Sequence, residues 1–510
     1  MKKLLTISLV YISFLFLSPL AFAWNDYTYT GTNISWNATT HELKFDITDL
    51  STPITLPIYQ IWIRNPNTGN LPYIYNFTDP NSTECNNWTS CDFILSGPGG
   101  DISNVQIFFI QLPQSGPNWR SQLLNLNDYT TNFLPIPLLK QTSNPWQSEE
   151  YDSAHIWNPN DPTINAWGCA MTSAAMVFKY YGINKLPDGT NLDPGSLNTW
   201  LKNQPDGYVG TGWVNWLALA RLSRIAGSIN NIINFDALEY VRDAGNDQTQ
   251  LTTDINNGHP DILEEPGHFI VGKGINDTTF DINDPYYNRL TLNDGYHNSF
   301  LSLGRYVPGH TDLSYIMLTA DPGLNLSVKD NSGNPVGSSF IQSPITDPVN
   351  TNKTNSAIKI YYLPKPSTNI YTVTVSGTNG LFTIEAYLYD SQGNPKILNL
   401  SGFGTSLFQI NFNKLANANS TVVKQVTFAS VIQDIKSAQN LHLINSGLAI
   451  ALLSILTQAQ QQSVKHPEIA KTILAGGIKL LNDSNPHSVL ISQETFLILL
   501  ADFSALENSL

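Results

Sequence analysis

The stretch AWGCAMTSAAMVFKYYG, residues 166–182, decides the fold at the centre of this chain. Its apolar residues recur at three- and four-residue intervals, the period of an amphipathic helix, and Gly182 supplies a helix stop. Cys169 falls in the first turn of this predicted helix, where free N–H groups and the helix dipole favour a thiolate. The alternative is a small buried hydrophobe, because free cysteine is among the most buried residue types. Partners for the thiol are needed to decide between the two.

Such partners follow about a hundred residues later, in the segment EEPGHFIVGKGINDTTFDINDPYYN, residues 264–288. Two alternating apolar runs separated by polar residues predict a β-hairpin. If the turn centres on 276–277, position 285 faces His268, and Asp284 is a close neighbour of the imidazole. A thiol nucleophile needs a base to take its proton and a third group to orient that base. A lone structural histidine is the alternative, but the Cys, His and Asp in this order favour catalysis.

These blocks resemble a known family. GCAMTSAAMVFKYYG, GHFIVGKGI and INDPYYN look like the C39-like papain-fold cysteine peptidases, in which a cysteine on the central helix meets a histidine and an aspartate on the sheet. The interval of 16 residues from His268 to Asp284 matches the family's pattern. The resemblance covers residues 136–320. It implies that Cys169 is the nucleophile, His268 the base and Asp284 the group that orients it.

The same resemblance implies an oxyanion donor upstream of the cysteine. These enzymes use a glutamine, often inside a motif like KQxxPxW, and LKQTSNPW at 139–146 is similar to that motif. The role is therefore carried to Gln141. Asn165, just before the helix, is the fallback donor, and its simpler role is a cap at the helix entry.

The N-terminus and the charge point to an exported protein. Residues 1–23, MKKLLTISLVYISFLFLSPLAFA, combine a basic start, an apolar stretch and a small-x-small ending, which predicts a signal peptide and a mature chain from about Trp24. No later apolar run is long enough to cross a bilayer, and 447–456 is better explained as a core helix. The net charge of -14, without a polybasic patch, argues against nucleic acid or anionic membrane as partner.

The chain contains three cysteines, an odd number for a secreted protein. Cys85 and Cys91 flank the polar loop NNWTS and are predicted to close a disulfide in an oxidising compartment. Two reduced loop cysteines are the alternative. Either way Cys169 has no partner in this scheme, so it should be reactive or intermolecular.

A chain of 510 residues is too long for one core, so several domains are expected. Short alternating runs separated by turn residues, as at 41–47, 59–63 and 105–110, predict a β-sandwich over 24–135. A second sandwich is predicted over 321–425. There a D-x-x-G-N-P sequence occurs twice and is interpreted as a hairpin turn, since it lacks the ligand series of an EF-hand loop.

The segment 426–510 has helical periodicity throughout. Four helices are predicted, at 428–439, 446–462, 467–482 and 492–508. Their pattern weakly resembles the small FIMAH-type helical modules at the C-termini of secreted bacterial enzymes. The resemblance implies attachment, for example to a cell surface, or assembly, and no chemistry.

Three other sequence motifs suggest a function at first but do not meet its requirements. Residues 267–273 spell G-x-x-x-x-G-K, but Gly274 follows where a phosphate loop needs Ser or Thr. Glu264 and Glu265 are consecutive on a predicted strand, so they point to opposite faces and make no glycosidase pair. His259 and His268 lack a third zinc ligand at a suitable spacing. Neither a metal nor another cofactor is expected.

The predicted fold is therefore multidomain: an α+β papain-like (C39-like) central domain flanked by β-sandwich domains, with a C-terminal α-helical bundle. The predicted function is that of a secreted bacterial thiol hydrolase, a cysteine peptidase acting on a peptide or protein substrate. One alternative keeps the thiol chemistry and cleaves cell-wall or conjugate amides. The other is a non-catalytic surface adhesin. Some C39 enzymes trim leader peptides, and these enzymes are usually fused to membrane transporters. This sequence shows no transporter segment, so leader trimming is not expected.

Overall fold

The computed structural model describes residues 133–485 and 490–510, apart from 277 and 349, together with short segments before 127. Those segments are 25–27, 34–37, 42–46, 60–64, 73–76, 85–86, 90–94, 106–111 and 119–126. The predicted signal peptide, 1–23, lies outside the described residues. The chain divides into two compact units, 1–133 and 134–510.

The first unit contains two β-sheets. Its strands are β1 Asn25–Tyr27, β2 Ser35–Asn37, β3 Glu42–Asp46, β4 Gln60–Arg64, β5 Tyr73–Asn76, β6 Cys85–Asn86, β7 Ser90–Ile94, β8 Gln106–Gln111, β9 Trp119–Ser121 and β10 Leu124–Asn125. One sheet has the order β1-β9-β8-β4-β5, with β10 on β8, and the other has the order β2-β3-β7-β6. The rings of Phe45 and Phe109 meet at 4.8 Å between the sheets, so alternate residues of the strands form a shared core. Each of the three alternating runs quoted above overlaps one of these strands.

Cys85 and Cys91 are direct register partners on the antiparallel strands β6 and β7. Their side chains lie outside the described residues, so the disulfide stays a prediction.

The second unit begins with a mixed α/β region. Its elements are α1 Ala154–Trp157, α2 Ile164–Trp167, α3 Cys169–Tyr180, α4 Pro194–Lys202, β11 Tyr208–Val209, β12 Trp213–Val214, α5 Trp216–Ala226, β13 Ala237–Ala244, α6 Gln248–Asn256, β14 Asp261–Glu265, β15 His268–Asn276, β16 Thr279–Asn283, α7 Asn293–Tyr296 and β17 Ser302–Gly309. The long strands form an antiparallel sheet of order β13-β17-β14-β15-β16.

Helix α3 is the central helix of this region, and the sequence prediction for it is confirmed. It begins at Cys169, and its chain reverses at Gly182, whose φ of +84° suits glycine. Ten of its residues are buried, from Cys169 to Phe178, because the helix lies between the sheet and the surrounding helices. The Ser173 hydroxyl donates to the Phe269 carbonyl at 3.2 Å and fixes the helix against β15.

The hairpin β15–β16 exists, but its predicted register is wrong. Asn276 pairs with Thr279, so the turn lies one residue later than expected. A bulge between Gly272 and Gly274 then shifts the register again. Glycines inside a strand often mark a bulge, and the pair Gly272 and Gly274 is the signal that the register prediction left out.

A two-sheet sandwich follows. Its strands are β18 Tyr315–Ala320, β19 Asn325–Lys329, β20 Ser338–Gln342, β21 Ile358–Pro364, β22 Asn369–Ser376, β23 Leu381–Tyr389, β24 Pro395–Phe403, β25 Ser406–Phe412 and β26 Thr421–Gln425. The sheets have the orders β20-β21-β18-β23-β24 and β19-β22-β25-β26. Asp390 accepts the Gln392 and Asn394 N–H groups, so the second D-x-x-G-N-P sequence forms the predicted turn between β23 and β24.

Strand β18 corrects the domain boundary proposed at 320/321. It pairs with β21 and β23 as the middle strand of the five-stranded sheet, so it belongs to the sandwich. All six of its residues are buried, because one face of this sheet packs on the second sheet and the other on the α/β region. A strand buried on both faces has no alternation to reveal its partner.

Four helices end the chain: α8 Phe428–Asn440, α9 Ser446–Ser463, α10 Pro467–Ser484 and α11 Gln493–Ser509. All four helical predictions are confirmed. Thr427, Asn445 and Ser492 cap three of the helices through their side chains, and Pro467 opens the other. Among the described helices none has both the length and the apolar character required to span a membrane.

Candidate active site

Cys169 is the first residue of α3, and its side chain is 1% exposed. The preceding Gly168 allows a close approach to α2, since a Cβ there would meet the Ile164 carbonyl oxygen at 2.7 Å. Among the described residues no acceptor takes the Cys169 N–H, as expected at a helix start. A free N–H and a thiol therefore occupy the same helix end.

His268 begins β15, and the structure brings it to both of its predicted partners. Its Nε2 lies 2.9 Å from Oδ1 of Asp284, which follows directly after β16. The Cys169 thiol also lies close enough to the His268 ring to raise its pKa. Because the carboxylate can only accept, Nε2 carries a hydrogen, and Nδ1 remains for the thiol. Cys169 and Asp284 thus both lie beside His268, although the register that predicted this was wrong.

Asp284 is buried and receives four hydrogen bonds. Its Oδ1 accepts from His268 and from the N–H groups of Tyr286 and Tyr287, each at 2.9 Å. Its Oδ2 accepts from the Tyr296 hydroxyl at 2.6 Å. Burial alone would raise the pKa of Asp284, but these donors outweigh it and lower the pKa below its usual value. The carboxylate is therefore ionised and fixed in orientation.

The electrostatics favour a charged imidazole. Burial acts to lower the pKa of His268, but hydrogen bonds to Asp284 and Cys169 and their charges raise it to about 9. The ring can then hold a proton at neutral pH. In cysteine hydrolases a positively charged imidazole beside the cysteine favours the reactive thiolate.

Gln141 is joined to the same site through the backbone. Its N–H donates to the Pro285 carbonyl at 2.9 Å. The neighbouring Lys140 ammonium donates to the carbonyls of Asp284 at 2.8 Å and Tyr287 at 2.5 Å. The segment before the first helices is thereby attached to the loop that carries the aspartate, despite the long separation in sequence.

The Gln141 side chain is buried and faces the turn that leads into α3. Its amide nitrogen donates to the Asn165 carbonyl at 2.7 Å and, at 3.4 Å, to the Ile164 carbonyl, while its Oε1 has no partner among the described residues. In a continuous helix the Asn165 carbonyl would accept the Cys169 N–H. Gln141 occupies that carbonyl instead, beside the free N–H of the nucleophile.

Asn165 does not cap the helix, contrary to the sequence interpretation. It is the second residue of α2, whose cap position is Thr163, and the cap position of α3 is Gly168. Its side chain makes no hydrogen bond with the described residues. Its backbone carbonyl accepts from the Gln141 side chain, which places the residue next to the site.

Three side chains near the triad have no signal in the sequence. Tyr296, in the short helix α7, supports Asp284. Glu265 and Arg289 line a cavity of about 490 Å³ beside His268. They come from an irregular segment and a strand end, where no periodicity or motif marks a role. Within the described residues, no group of three His, Cys, Asp or Glu side chains is arranged to hold a metal ion.

A cysteine at a helix start, beside a histidine that is hydrogen-bonded to an aspartate, is the arrangement that cysteine hydrolases use. Residues 133–307 match the Peptidase_C39 like family, so the chain contains a C39-like domain. A comparison with curated proteins returns no match.

Among solved structures, the chain is similar to a Bacillus anthracis protein assigned as a C39-like peptidase. The two are 16% identical, over 35% of this chain and 98% of the other, with a TM-score of 0.22. A score this low adds nothing to the case for the fold.

Proposed function

We propose that this chain is a secreted cysteine peptidase, with Cys169 as nucleophile, His268 as general acid and base, and Asp284 as the group that orients the imidazole. The proposal is supported by the His268–Asp284 hydrogen bond of 2.9 Å, beside a cysteine at the start of a buried helix whose thiol raises the pKa of His268. The family match of residues 133–307 supports the same chemistry.

The reaction proceeds in two steps. The Cys169 thiolate attacks the carbonyl carbon, a C–S bond forms, and the His268 imidazolium gives its proton to the amide nitrogen as the C–N bond breaks. Water then attacks the thioester while His268 accepts its proton. The C–S bond breaks, and the thiolate–imidazolium pair is restored. Asp284 stays ionised throughout and orients the ring.

The oxyanion formed in each step needs donors. The free Cys169 N–H is one, and we assign the second to Gln141, whose amide nitrogen lies beside the same helix start. This nitrogen carries two hydrogens: one keeps the bond to the Asn165 carbonyl, and the other exchanges its long bond of 3.4 Å to the Ile164 carbonyl for the oxyanion. Asn165 remains the alternative donor.

The test is alkylation of Cys169 with iodoacetamide at pH 6, followed by assay of hydrolysis. We expect alkylation faster than that of a free cysteine, loss of all hydrolysis, and slow alkylation in the matched variant His268→Ala. A wild-type rate no faster than that of free cysteine would remove the catalytic proposal and favour the adhesin. Cys169→Ala should remain folded, since loss of one sulfur leaves only a small void.

A panel of substrates separates the two hydrolase hypotheses. Cleavage of peptides identifies a peptidase, whereas cleavage restricted to cell-wall or conjugate amides identifies the alternative. The thiol chemistry is the same in both, so the alkylation test applies to either.

Export is part of the proposal and has its own test. Mass spectrometry of protein exported by its own signal should find an N-terminus at or near Trp24 and a disulfide between Cys85 and Cys91. A retained leader, or a bridge from Cys169 to either loop cysteine, would contradict it. For the helices α8–α11 we propose a role in cell-surface attachment, which deletion of 426–510 should abolish without loss of hydrolysis.

A further inference from the structure

The cavity of about 490 Å³ beside His268 lies on one side of the triad. Its lining includes His268 but neither Cys169 nor Gln141. In the proposed reaction the imidazolium protonates the leaving nitrogen, so the leaving part of the substrate lies against the histidine. The acyl part lies against the thiol and the oxyanion donors. The cavity is therefore on the leaving-group side.

Arg289 brings a positive charge to this cavity. Its guanidinium carbon lies 4.1 Å from the ring centroid of Tyr287 and 4.4 Å from that of Tyr296, so the group is held between two aromatic faces. Gly295 packs closely against the guanidinium group. A Cβ at this position would lie only 2.7 Å from the guanidinium carbon, so a larger residue would not fit. No described carboxylate forms an ion pair with Arg289. The cation is fixed in place, and its donors remain available for an anion.

Glu265 lines the same cavity and is the direct cross-strand partner of His268. It is 2% exposed, and its buried Oε1 has no hydrogen-bond partner among the described residues. Burial raises the pKa of Glu265 to about 8, so at neutral pH the carboxyl group carries a proton that it can donate. The adjacent Glu264 points the other way and is bound by Arg242, as the alternation of a strand requires.

Part of the cavity lining comes from residues that lie after the end of the family match. Thr346 lies in the connection between β20 and β21, and its N–H donates to the Gly267 carbonyl at 3.0 Å. Gly267 has a φ of +77°, and a Cβ there would meet the Thr346 hydroxyl at 2.4 Å. The family match ends at residue 307, so the following sandwich completes the cavity.

We propose that the cavity binds a carboxylate on the leaving-group side of the substrate, through hydrogen bonds from Arg289 and Glu265. The inference rests on the proposed function for its assignment to the leaving group. A carboxylate offers two acceptor oxygens, and the cavity offers two donors, Arg289 and Glu265, neither of which is bound to a carboxylate among the described residues. The carboxylate could belong to a free C-terminus, which makes the enzyme a carboxypeptidase, or to an acidic side chain after the scissile bond.

Binding of product-like dipeptides to Cys169→Ala protein tests the cavity without any catalysis. The series is Ala-Leu with a free C-terminus, Ala-Leu-amide, Glu-Leu-amide and Lys-Leu-amide, measured by titration calorimetry at pH 7. We expect Ala-Leu or Glu-Leu-amide to bind about 10- to 100-fold more tightly than Ala-Leu-amide, as charge-assisted hydrogen bonds predict. Preference for Ala-Leu identifies the C-terminal carboxylate, and preference for Glu-Leu-amide identifies the side chain.

Arg289 variants assign the effect to its charge. Arg289→Met should remove the preference for a carboxylate, and Arg289→Lys should retain part of it, because lysine keeps the charge without the planar fork. Lys185→Met is the matched control, since it removes one exposed cation of the same domain away from the cavity. Thermal unfolding of each variant checks that the fold is intact.

Glu265 adds a pH dependence to the affinity. The charged groups around it are His268, Arg289, Asp284 and Glu264, and His297 also lines the cavity. Above pH 8 Glu265 ionises, repels the ligand and loses its donor hydrogen, so carboxylate affinity should fall as the pH rises from 7 to 9. Glu265→Gln keeps a donor without the ionisation, so its affinity should fall less over this range, through the loss of the His268 charge alone.

Equal affinity for Ala-Leu and Ala-Leu-amide, a preference for Lys-Leu-amide, or an unchanged preference in Arg289→Met would each overturn the cavity proposal. So would the absence of binding by every dipeptide. A carboxylate preference in Cys169→Ala combined with an unreactive wild-type thiol would sustain the cavity and overturn the peptidase. The two proposals therefore fail separately.

Discussion

At the two ends of the central sheet, the pKa of a buried aspartate is shifted in opposite directions. At the end that carries His268, Asp284 receives four hydrogen bonds, and its pKa is lowered. At the other end, Asp261 is completely buried at the start of β14, and its oxygens receive no hydrogen bond from the described residues. Burial, and then the charge of the nearby Asp254, raise the pKa of Asp261 well above its usual value.

The difference between Asp284 and Asp261 lies in the hydrogen-bond donors around each carboxyl group. Beside Asp261, Arg305 directs its guanidinium to Asp254, at 2.6 and 2.9 Å, and to Asp243 at 2.9 Å. Asp261 is left with burial and a negative neighbour, and both favour its neutral form. Burial by itself therefore does not make an aspartate catalytic. A site that needs a charged carboxylate must supply hydrogen-bond donors to it.

The largest expected effect comes from neutralising each aspartate in turn. Asp284→Asn should lower turnover by about 10⁴-fold, the loss seen when the orienting carboxylate of a catalytic triad becomes an amide. Binding of substrate should change little, because the aspartate does not touch it. Steady-state kinetics measure both quantities. Asp261→Asn is the matched control, and a comparable loss of turnover there would refute the contrast between the two ends.

The second effect concerns the oxyanion. Gln141→Ala removes one proposed donor, and losses of a single donor typically cost about 10²- to 10³-fold in turnover. KM should change much less, since the oxyanion exists only in the transition state. Asn165→Ala is the comparison variant. If it loses turnover while Gln141→Ala does not, the donor is the asparagine before α3.

The third effect isolates one of the four donors to Asp284. Tyr296→Phe removes the hydroxyl that donates to Oδ2 and should lower turnover by about tenfold, the typical worth of one hydrogen bond to a charged group. It should also raise the pKa of Asp284. Tyr286→Phe is the control, because Tyr286 binds Asp284 through its backbone N–H. Equal turnover of the two variants would mean that three donors suffice.

These tests also indicate how far sequence reasoning reaches. The helix around Cys169 and the order Cys, His, Asp were sufficient to point to three residues that lie together in the structure, and their catalytic roles stay a prediction. The donors that hold Asp284 ionised were not predictable. Tyr296 lies in an irregular segment, and its approach to Asp284 depends on tertiary packing.

The same limit explains the errors in the fold. The bulge next to Gly272 changed the register of the hairpin, yet Asp284 still reached His268, because it lies just past the strand end and is held by its own loop. Strand β18 was assigned to the preceding domain, since a strand that is buried on both faces carries no alternation. The periodicity of apolar residues shows which face of a strand is buried, but it does not show which strand pairs with it.

The pH profile gives a further, smaller test of the site. The pKa of His268 is raised to about 9 in the folded protein, so the imidazolium that protonates the leaving amine is lost above that pH. We expect kcat/KM to be constant from pH 7 to about 8 and to fall through pH 9. A substrate without a carboxylate should be used, because ionisation of Glu265 would add its own effect. A fall centred near the ordinary histidine value of 6.5 would show that the ring is not stabilised as an ion.

The smallest expected effect is on stability, at the non-catalytic end of the sheet. The folded-state pKa of Asp261 is raised above its unfolded value of 3.8, so folding retains a proton that the unfolded chain releases. Its contribution to stability is therefore lost progressively as the pH rises above 3.8. Asp261→Asn cannot ionise and should escape this loss. Its melting temperature should exceed that of the wild type by an amount that grows between pH 4 and pH 9, whereas the exposed Asp321→Asn should follow the wild type. A constant difference across this range would mean that Asp261 is ionised in the folded protein, and the contrast between the two ends of the sheet would then disappear.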